Sequence, residues 1–151
     1  MTEELDKIKE LAQEFFEKMT IEISAIEVNL SSADVVDLNI KLDEPQILIG
    51  QQGQTLSEIQ RLLRFVLSRR LKKVLYLNLD INGYKSKKIE YLRNLAKETA
   101  DQVSLAKEEK KLSPMTAFER RIIHSELSQR TDVVTESQGD GFDRCIVIKS
   151  R

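Results

Sequence analysis

The sequence predicts an α+β protein of two small domains, residues 1–82 and 83–151. Three observations carry this expectation. Apolar residues recur every three to four positions through several long stretches, alternating β-branched runs fall between them, and "NGYKSKK" at mid-chain interrupts both patterns at Gly83. At 151 residues the chain can bury a core in each half. No internal repeat or low-complexity linker is visible.

The first helix is read over residues 3–19, where Leu5, Ile8, Leu11, Ala12, Phe15, Phe16 and Met19 mark one face. Ile21–Leu30 and Val36–Leu42 alternate apolar with polar residues around "SSAD" and predict a hairpin. Asp43 is the expected N-cap of a short helix reaching Ile49, with Pro45 in its first turn and Gly50 as its stop. A second long helix follows from Gly53 to about Arg70, burying Leu56, Ile59, Leu63, Val66 and Leu67. Val74–Ile81 is the third strand. Tyr84–Lys107 carries the stripe of a long helix, Lys110–Leu112 reads as a short strand, and Ser113-Pro114 signals another helix start. Thr131–Ser137 and Phe142–Ser150 predict two strands joined by a tight turn at Asp140-Gly141.

Composition narrows the function classes. No apolar run reaches the roughly 20 residues of a membrane helix, and the acidic amphipathic start is unlike a signal peptide. With Cys145 as its one cysteine the chain has no internal disulfide, which makes a reducing, cytoplasmic location the expectation. The formal net charge of −1 conceals a segregation of charge. Residues 1–49 hold 4 basic against 12 acidic side chains, residues 50–124 hold 16 against 8, and residues 125–151 hold 4 against 5. A phosphate-binding surface needs such local cations, although a solvated Lys/Arg-rich helix face gives the same count.

Within the basic segment lies "LIGQQGQTLSEIQRLLRFVLSRR", Leu48–Arg70, with Gly50 and Gly53 immediately before a helix. Helix N-termini offer unpaired amides and a positive dipole end to anions, and glycines let a sugar-phosphate chain approach closely. A helix-stopping glycine before an ordinary cap would look the same. The element order helix–strand–strand–helix–GxxG–helix–strand is that of a type II KH domain, a module whose loop clamps the backbone of nucleotides. The run is similar to the KH loop and helix of the bacterial Jag (SpoIIIJ-associated) family, and "LDINGYKSKKIEYLRNLA" resembles the opening of that family's linking helix. This resemblance implies RNA contacts at Ile49, Gly50, Gln51, Gln52, Gly53 and Gln54. Many KH loops carry Lys or Arg between the glycines, where this one has two glutamines. Arg61, Arg64, Arg69, Arg70, Lys72 and Lys73 are then expected to supply charge, with Ile49 and Leu56 forming an apolar groove for bases.

His124, the single histidine, stands four residues after Arg120 in "AFERRIIHSEL". One His and one Cys do not make a zinc site, no nucleophile elbow is present, and neither a metal, a cofactor nor a catalytic group is expected. Arg-x-x-x-His on a helix opened by "SPMTAFERR" and followed by a hairpin resembles the R-three-H domain, a single-stranded nucleic-acid binding module. The terminal "GFDRCIVI" is similar to its last strand. The resemblance implies phosphate contacts from Arg120 and Arg144, with His124 stacking on a base or donating to phosphate. The other reading has His124 fixing the helix to the sheet and Arg120 paired with an acid.

Together the two resemblances describe a Jag-family protein: a type II KH domain joined by a long helix to a small R-three-H domain whose helices pack on a three-stranded sheet. They imply a non-enzymatic binder of single-stranded RNA or single-stranded DNA, a post-transcriptional role connected with cell elongation and division, and partnership with a small single-KH protein. The alternative is a protein-interaction module in which the KH domain mainly dimerises, as a homodimer or with that partner, because its loop carries glutamines where many KH loops are basic. Jag proteins of several groups begin with a further N-terminal domain; here the first helix of the KH domain starts at once, so either this lineage lacks that domain or the sequence is a fragment.

Overall fold

The computed structural model describes Met1–Arg151 and divides into two units, Met1–Lys85 and Ser86–Arg151. In the first unit α1 (Thr2–Lys18) buries Ile8, Ala12 and Phe16, one side chain per turn, and places Glu3 and Glu4 in its first turn, where the helix dipole favours them. The chain leaves the helix through Thr20 at φ 61°. β1 (Ala25–Ser32) and β2 (Val35–Lys41) form the antiparallel hairpin, with an irregularity between Leu30 and Ser32. β3 (Tyr76–Ile81) pairs parallel to β2, giving the order β1-β2-β3. A parallel return needs a crossover, and α2 (Gln46–Ile49) and α3 (Gln54–Leu71) supply it. Val36, Leu38 and Ile40 of β2 join Leu77, Leu79 and Ile81 of β3 under α1 and α3, while alternate residues stay outside the core. Asn82 locks the strand ends: its amide group donates to Leu42 O at 2.8 Å and its Oδ1 accepts from Leu42 N at 2.9 Å.

α4 (Tyr84–Ala106) starts at the end of the first unit and runs into the second, where it buries Leu92, Ala96, Thr99, Ala100 and Val103. β4 (Lys110–Lys111), α5 (Ala117–Leu127), β5 (Val133–Gln138) and β6 (Cys145–Ser150) complete the unit. Its sheet is antiparallel in the order β4-β6-β5. Ile123 and Leu127 of α5 meet the α4 stripe over Val133, Ile146 and Ile148. Beyond α5, Arg130 forks onto Asp132 with bonds of 2.9 and 2.6 Å and reaches Asp101 of α4 at 2.8 Å. Hydrogen bonds from Arg130 hold the Asp132 carboxyl well below the usual carboxylate range. The protein is thus α+β with two three-stranded sheets.

Three local expectations are corrected. Asp43 does not cap α2: the cap position is Pro45, whose carbonyl accepts from Leu48 N and Ile49 N at 3.1 and 3.0 Å, so the helix is a single turn. Ser113-Pro114 does not open α5. Thr116 does, through a capping box in which its hydroxyl accepts from Glu119 N at 3.3 Å and Glu119 Oε2 accepts from Thr116 N at 3.1 Å. Residues before it are instead held along β6, where Leu112 N reaches Ile146 O at 2.9 Å and Met115 N reaches Arg144 O at 3.1 Å. The β5–β6 connection is not a tight turn at Asp140-Gly141 but spans residues 139–144, with a 3-10 turn at Gly141–Asp143.

Thr116→Ala removes a cap side chain worth about 1 kcal/mol and is expected to lower hydrogen-exchange protection of the α5 amides, with Ser113→Ala leaving it unchanged. Equal effects of the two substitutions would put the helix start back at Ser113.

Candidate nucleic-acid interface

The loop between α2 and α3 belongs to the first unit and the pocket beside α5 to the second. In the first, Gly50 N donates to Gln46 O at 2.9 Å and Gly53 N to Gly50 O at 3.4 Å, closing a 3-10 turn over Gln51–Gly53. Gly50 has φ 70° and ψ −173°, a conformation almost confined to glycine. A β-carbon there would lie 2.7 Å from Thr55 Cβ, and one at Gly53 would lie 3.0 Å from Tyr84 Cε1. Both glycines are therefore required by side chains of the chain itself, not only by an approaching ligand. Gln51, Gln52 and Gln54 are exposed, with Gln52 in the left-handed region at φ 55°. Ile49 is half-buried against the core, whereas Leu56 is 1% exposed and offers no surface to a base. The expected groove loses that wall.

The expected supply of charge also changes. At about 1.5 Å per residue Arg61 lies roughly 12 Å along α3 from Gly53, and Arg69 and Arg70 roughly 24 Å. Screening in physiological salt acts over roughly 8 Å, so these last arginines contribute little at the loop. Arg70 approaches Glu14 at 3.7 Å, and Lys73 pairs with Glu4 at 3.0 Å and Asp34 at 3.6 Å. The hydrogen bond to Glu4 raises the Lys73 pKa. Arg64 donates Nε to Leu75 O at 2.6 Å with its guanidinium 4.9 Å from the Tyr76 ring centre, which fastens α3 to the entry of β3. What the loop offers an anion is the N-terminus of an 18-residue helix and three exposed glutamine amides. Lys85, passed over in the sequence, donates to Gln60 Oε1 at 2.6 Å, and burial lowers its pKa.

In the second unit, Ala117, Arg120, Arg121 and His124 share one face of α5, because at about 100° per residue they span roughly a quarter of the helix circumference. Ser137 of β5, Arg144 just before β6 and Ile146 within it close the other side of an open pocket of about 270 Å³. Arg120 Nη1 donates to Met115 O at 2.6 Å, so a backbone carbonyl and not an acid orients it. Arg144 Nε donates to Ser137 Oγ at 2.8 Å. His124 Nδ1 lies 2.6 Å from Thr135 Oγ1 on an exposed ring, which ties α5 to β5 and leaves Nε2 without a protein partner. The two readings of His124 coexist in one geometry.

No carboxylate comes within ion-pair distance of Arg120, Arg121 or Arg144. The acid next to Arg120 in sequence, Glu119, is buried, closes the capping box and lies 3.7 Å from Lys88. Three guanidinium groups and an imidazole thus face one cavity without neutralisation. Arg121, Thr135 and Ser137 were not singled out from the sequence. Arg121 could have been, since its offset from His124 by three residues puts both on one face. No group of three or more His, Cys, Asp or Glu side chains is arranged to hold a metal.

Residues 90–150 match the family model of the R-three-H domain, which covers Arg120, His124 and Arg144. The chain is 34% identical over 144 residues to the RNA-binding protein KhpB of Clostridium symbiosum, covering 95% of this chain and 64% of that protein. Over most of its own length the chain is thus similar to proteins named RNA-binding protein KhpB. It is likewise 34% identical over 122 residues to the KhpB protein of Bacillus subtilis, 80% of this chain and 59% of that one. With the KhpB protein of Streptococcus pneumoniae it shares 31% over 113 residues, 75% of this chain and 34% of that one. The chain therefore spans less than two thirds of the length of the KhpB proteins it matches.

Gly50→Ala combines a glycine-only backbone with a clash against a rigid β-branched side chain, and is expected to destabilise the first unit by about 2 kcal/mol or more in urea unfolding. Gly53→Ala, whose neighbour is the edge of an aromatic ring, is expected to cost less. Equal or reversed costs would contradict this account of the loop.

Proposed function

We propose that the chain binds single-stranded RNA and catalyses no reaction, acting in the cytoplasm as a post-transcriptional regulator connected with cell elongation and division. The observation that carries the reading is the α5 pocket, where Arg120, Arg121, Arg144 and His124 gather without a carboxylate inside a segment matching the R-three-H domain. The relatives' name, RNA-binding protein, supports RNA over DNA as the ligand. In this reading residues 1–82 form a type II KH domain and residues 83–151 an R-three-H domain. The order β1-β2-β3 with β2 parallel to β3, and the glycine loop inside the crossover, support the KH assignment. Arg120, Arg121 and Arg144 take phosphates, and His124 donates from Nε2 to phosphate or stacks on a base. Gln51, Gln52, Gln54 and the amides from Gly50 to Gly53 contact a second stretch of backbone, with Ile49 beneath it and Arg61 and Arg64 as outlying contacts. One strand engaging both modules would bind more tightly than either module alone.

Fluorescence anisotropy with a labelled mixed-sequence single-stranded RNA over a salt series tests this. Arg120→Ala/Arg144→Ala is expected to weaken binding at least tenfold and to flatten the salt slope by about 0.7 for each phosphate no longer neutralised. Gln51→Asp/Gln52→Asp, which adds repulsion while aspartate tolerates the left-handed backbone, is expected to weaken it less. Affinity unchanged in both variants would remove RNA from both surfaces.

A second reading is supported by α3, where Leu62 and Phe65 are 53% and 62% exposed one turn apart beside the exposed Arg61. Such a pair suits a protein partner, either a second copy or a small single-KH protein. Sedimentation should then give a dimer that Leu62→Asp abolishes while RNA affinity of the pocket persists; a monomer at high concentration would leave no homodimer.

A further inference from the structure

Phe142 is the most exposed large apolar side chain of the protein, at 99%. It occupies the centre of the 3-10 turn Gly141–Asp143 in the β5–β6 connection. Asp143 N donates to Asp140 O at 3.1 Å and Arg144 N to Gly141 O at 3.4 Å, so the ring rides on a hydrogen-bonded frame. Isolated exposed apolar side chains are common and need no purpose. Phe142 differs in its position, two residues before Arg144, which puts the two Cα atoms within about 7 Å. Arg144 is fixed by Ser137 and lines the pocket whose guanidinium groups lack any carboxylate. An aromatic face beside a phosphate-sized cationic pocket is the pairing by which proteins hold a single strand: charge takes the backbone, and a ring takes a base regardless of its identity.

We propose that Phe142 is a base-stacking platform, on which an unpaired nucleobase lies when the neighbouring phosphate occupies the pocket of Arg120, Arg121 and Arg144. This rests on the RNA reading above and sharpens it. Stacking on Phe142 requires a base free of its own neighbours, so the site selects single strands over duplexes and is tolerant of sequence. Phe118 of α5 serves as an internal control. It is also exposed, at 52%, but its place on the helix is turned about 60° or more away from the pocket-lining positions.

The test is anisotropy of the full chain with a labelled single-stranded RNA of about eight nucleotides, beside an abasic ribose-phosphate strand of the same length. Wild type should bind the base-bearing strand more tightly than the abasic one. Phe142→Ala should lower affinity for the base-bearing strand roughly fivefold or more and leave the abasic strand unchanged, and Phe142→Trp should restore binding. Phe118→Ala should change neither. If Phe142→Ala binds both strands as wild type does, or weakens both equally, the stacking role is wrong while the phosphate pocket stands. If wild type binds neither strand, the RNA reading and the stacking role fall together.

Discussion

The second unit depends on how the segment before α5 is held. Leu112 and Met115 donate to Ile146 and Arg144 at the last strand, and Arg120 reaches back from the helix to the carbonyl of Met115. These bonds fix where the helix can begin, and the Thr116–Glu119 box then starts it there. The start position sets the rotation of α5. The same rotation sends Glu119 inward and Arg120, Arg121 and His124 toward β5 and β6. A pocket of unpaired cations is costly by self-repulsion alone; here Arg120 and Arg144 are each held by a neutral group, a carbonyl or a hydroxyl, which orients the side chain without cancelling its charge.

The glycine loop presents different chemistry. Its glycines accommodate Thr55 and Tyr84, its long arginines lie far down α3 or serve as fasteners, and its polar groups are glutamines and helix amides. Contacts of this kind orient a backbone but attract it weakly from a distance. In the proposed reading the α5 pocket therefore supplies most of the salt-dependent affinity, and the loop adds register.

Much of this architecture was legible in the sequence because it is written in period. The stripes Ile8–Ala12–Phe16 and Leu92–Ala96–Val103 and the alternation through β2 are set by burial, which side-chain spacing reports directly. Local starts and turns were less legible. Ser113-Pro114 carries a good start signal, yet the backbone bonds to β6 and the capping box at Thr116 outweigh it, and only the pairing of strands reveals those bonds. Asp140-Gly141 likewise suits a tight turn, but the register of β5 against β6 leaves six residues to be spanned. Of the site, Arg120, His124 and Arg144 were found by motif. Arg121 shares the helix face of Arg120 and His124 by spacing, whereas Thr135 and Ser137 come into it through folding, since they sit on a strand that no local pattern places near α5. The reverse held for Leu56, whose apolar character suits a groove and a core equally.

The central claim is that the unpaired cations beside α5 receive a nucleic-acid backbone. Backbone and side-chain NMR of the full chain, titrated with a short single-stranded RNA, tests it most directly. The account predicts saturable shifts at Arg120, Arg121, His124 and Arg144, with the His124 Nε2 environment changing and smaller shifts from Gly50 to Gln54. Shifts confined to the exposed face of α3, or none outside the chain termini, would contradict it.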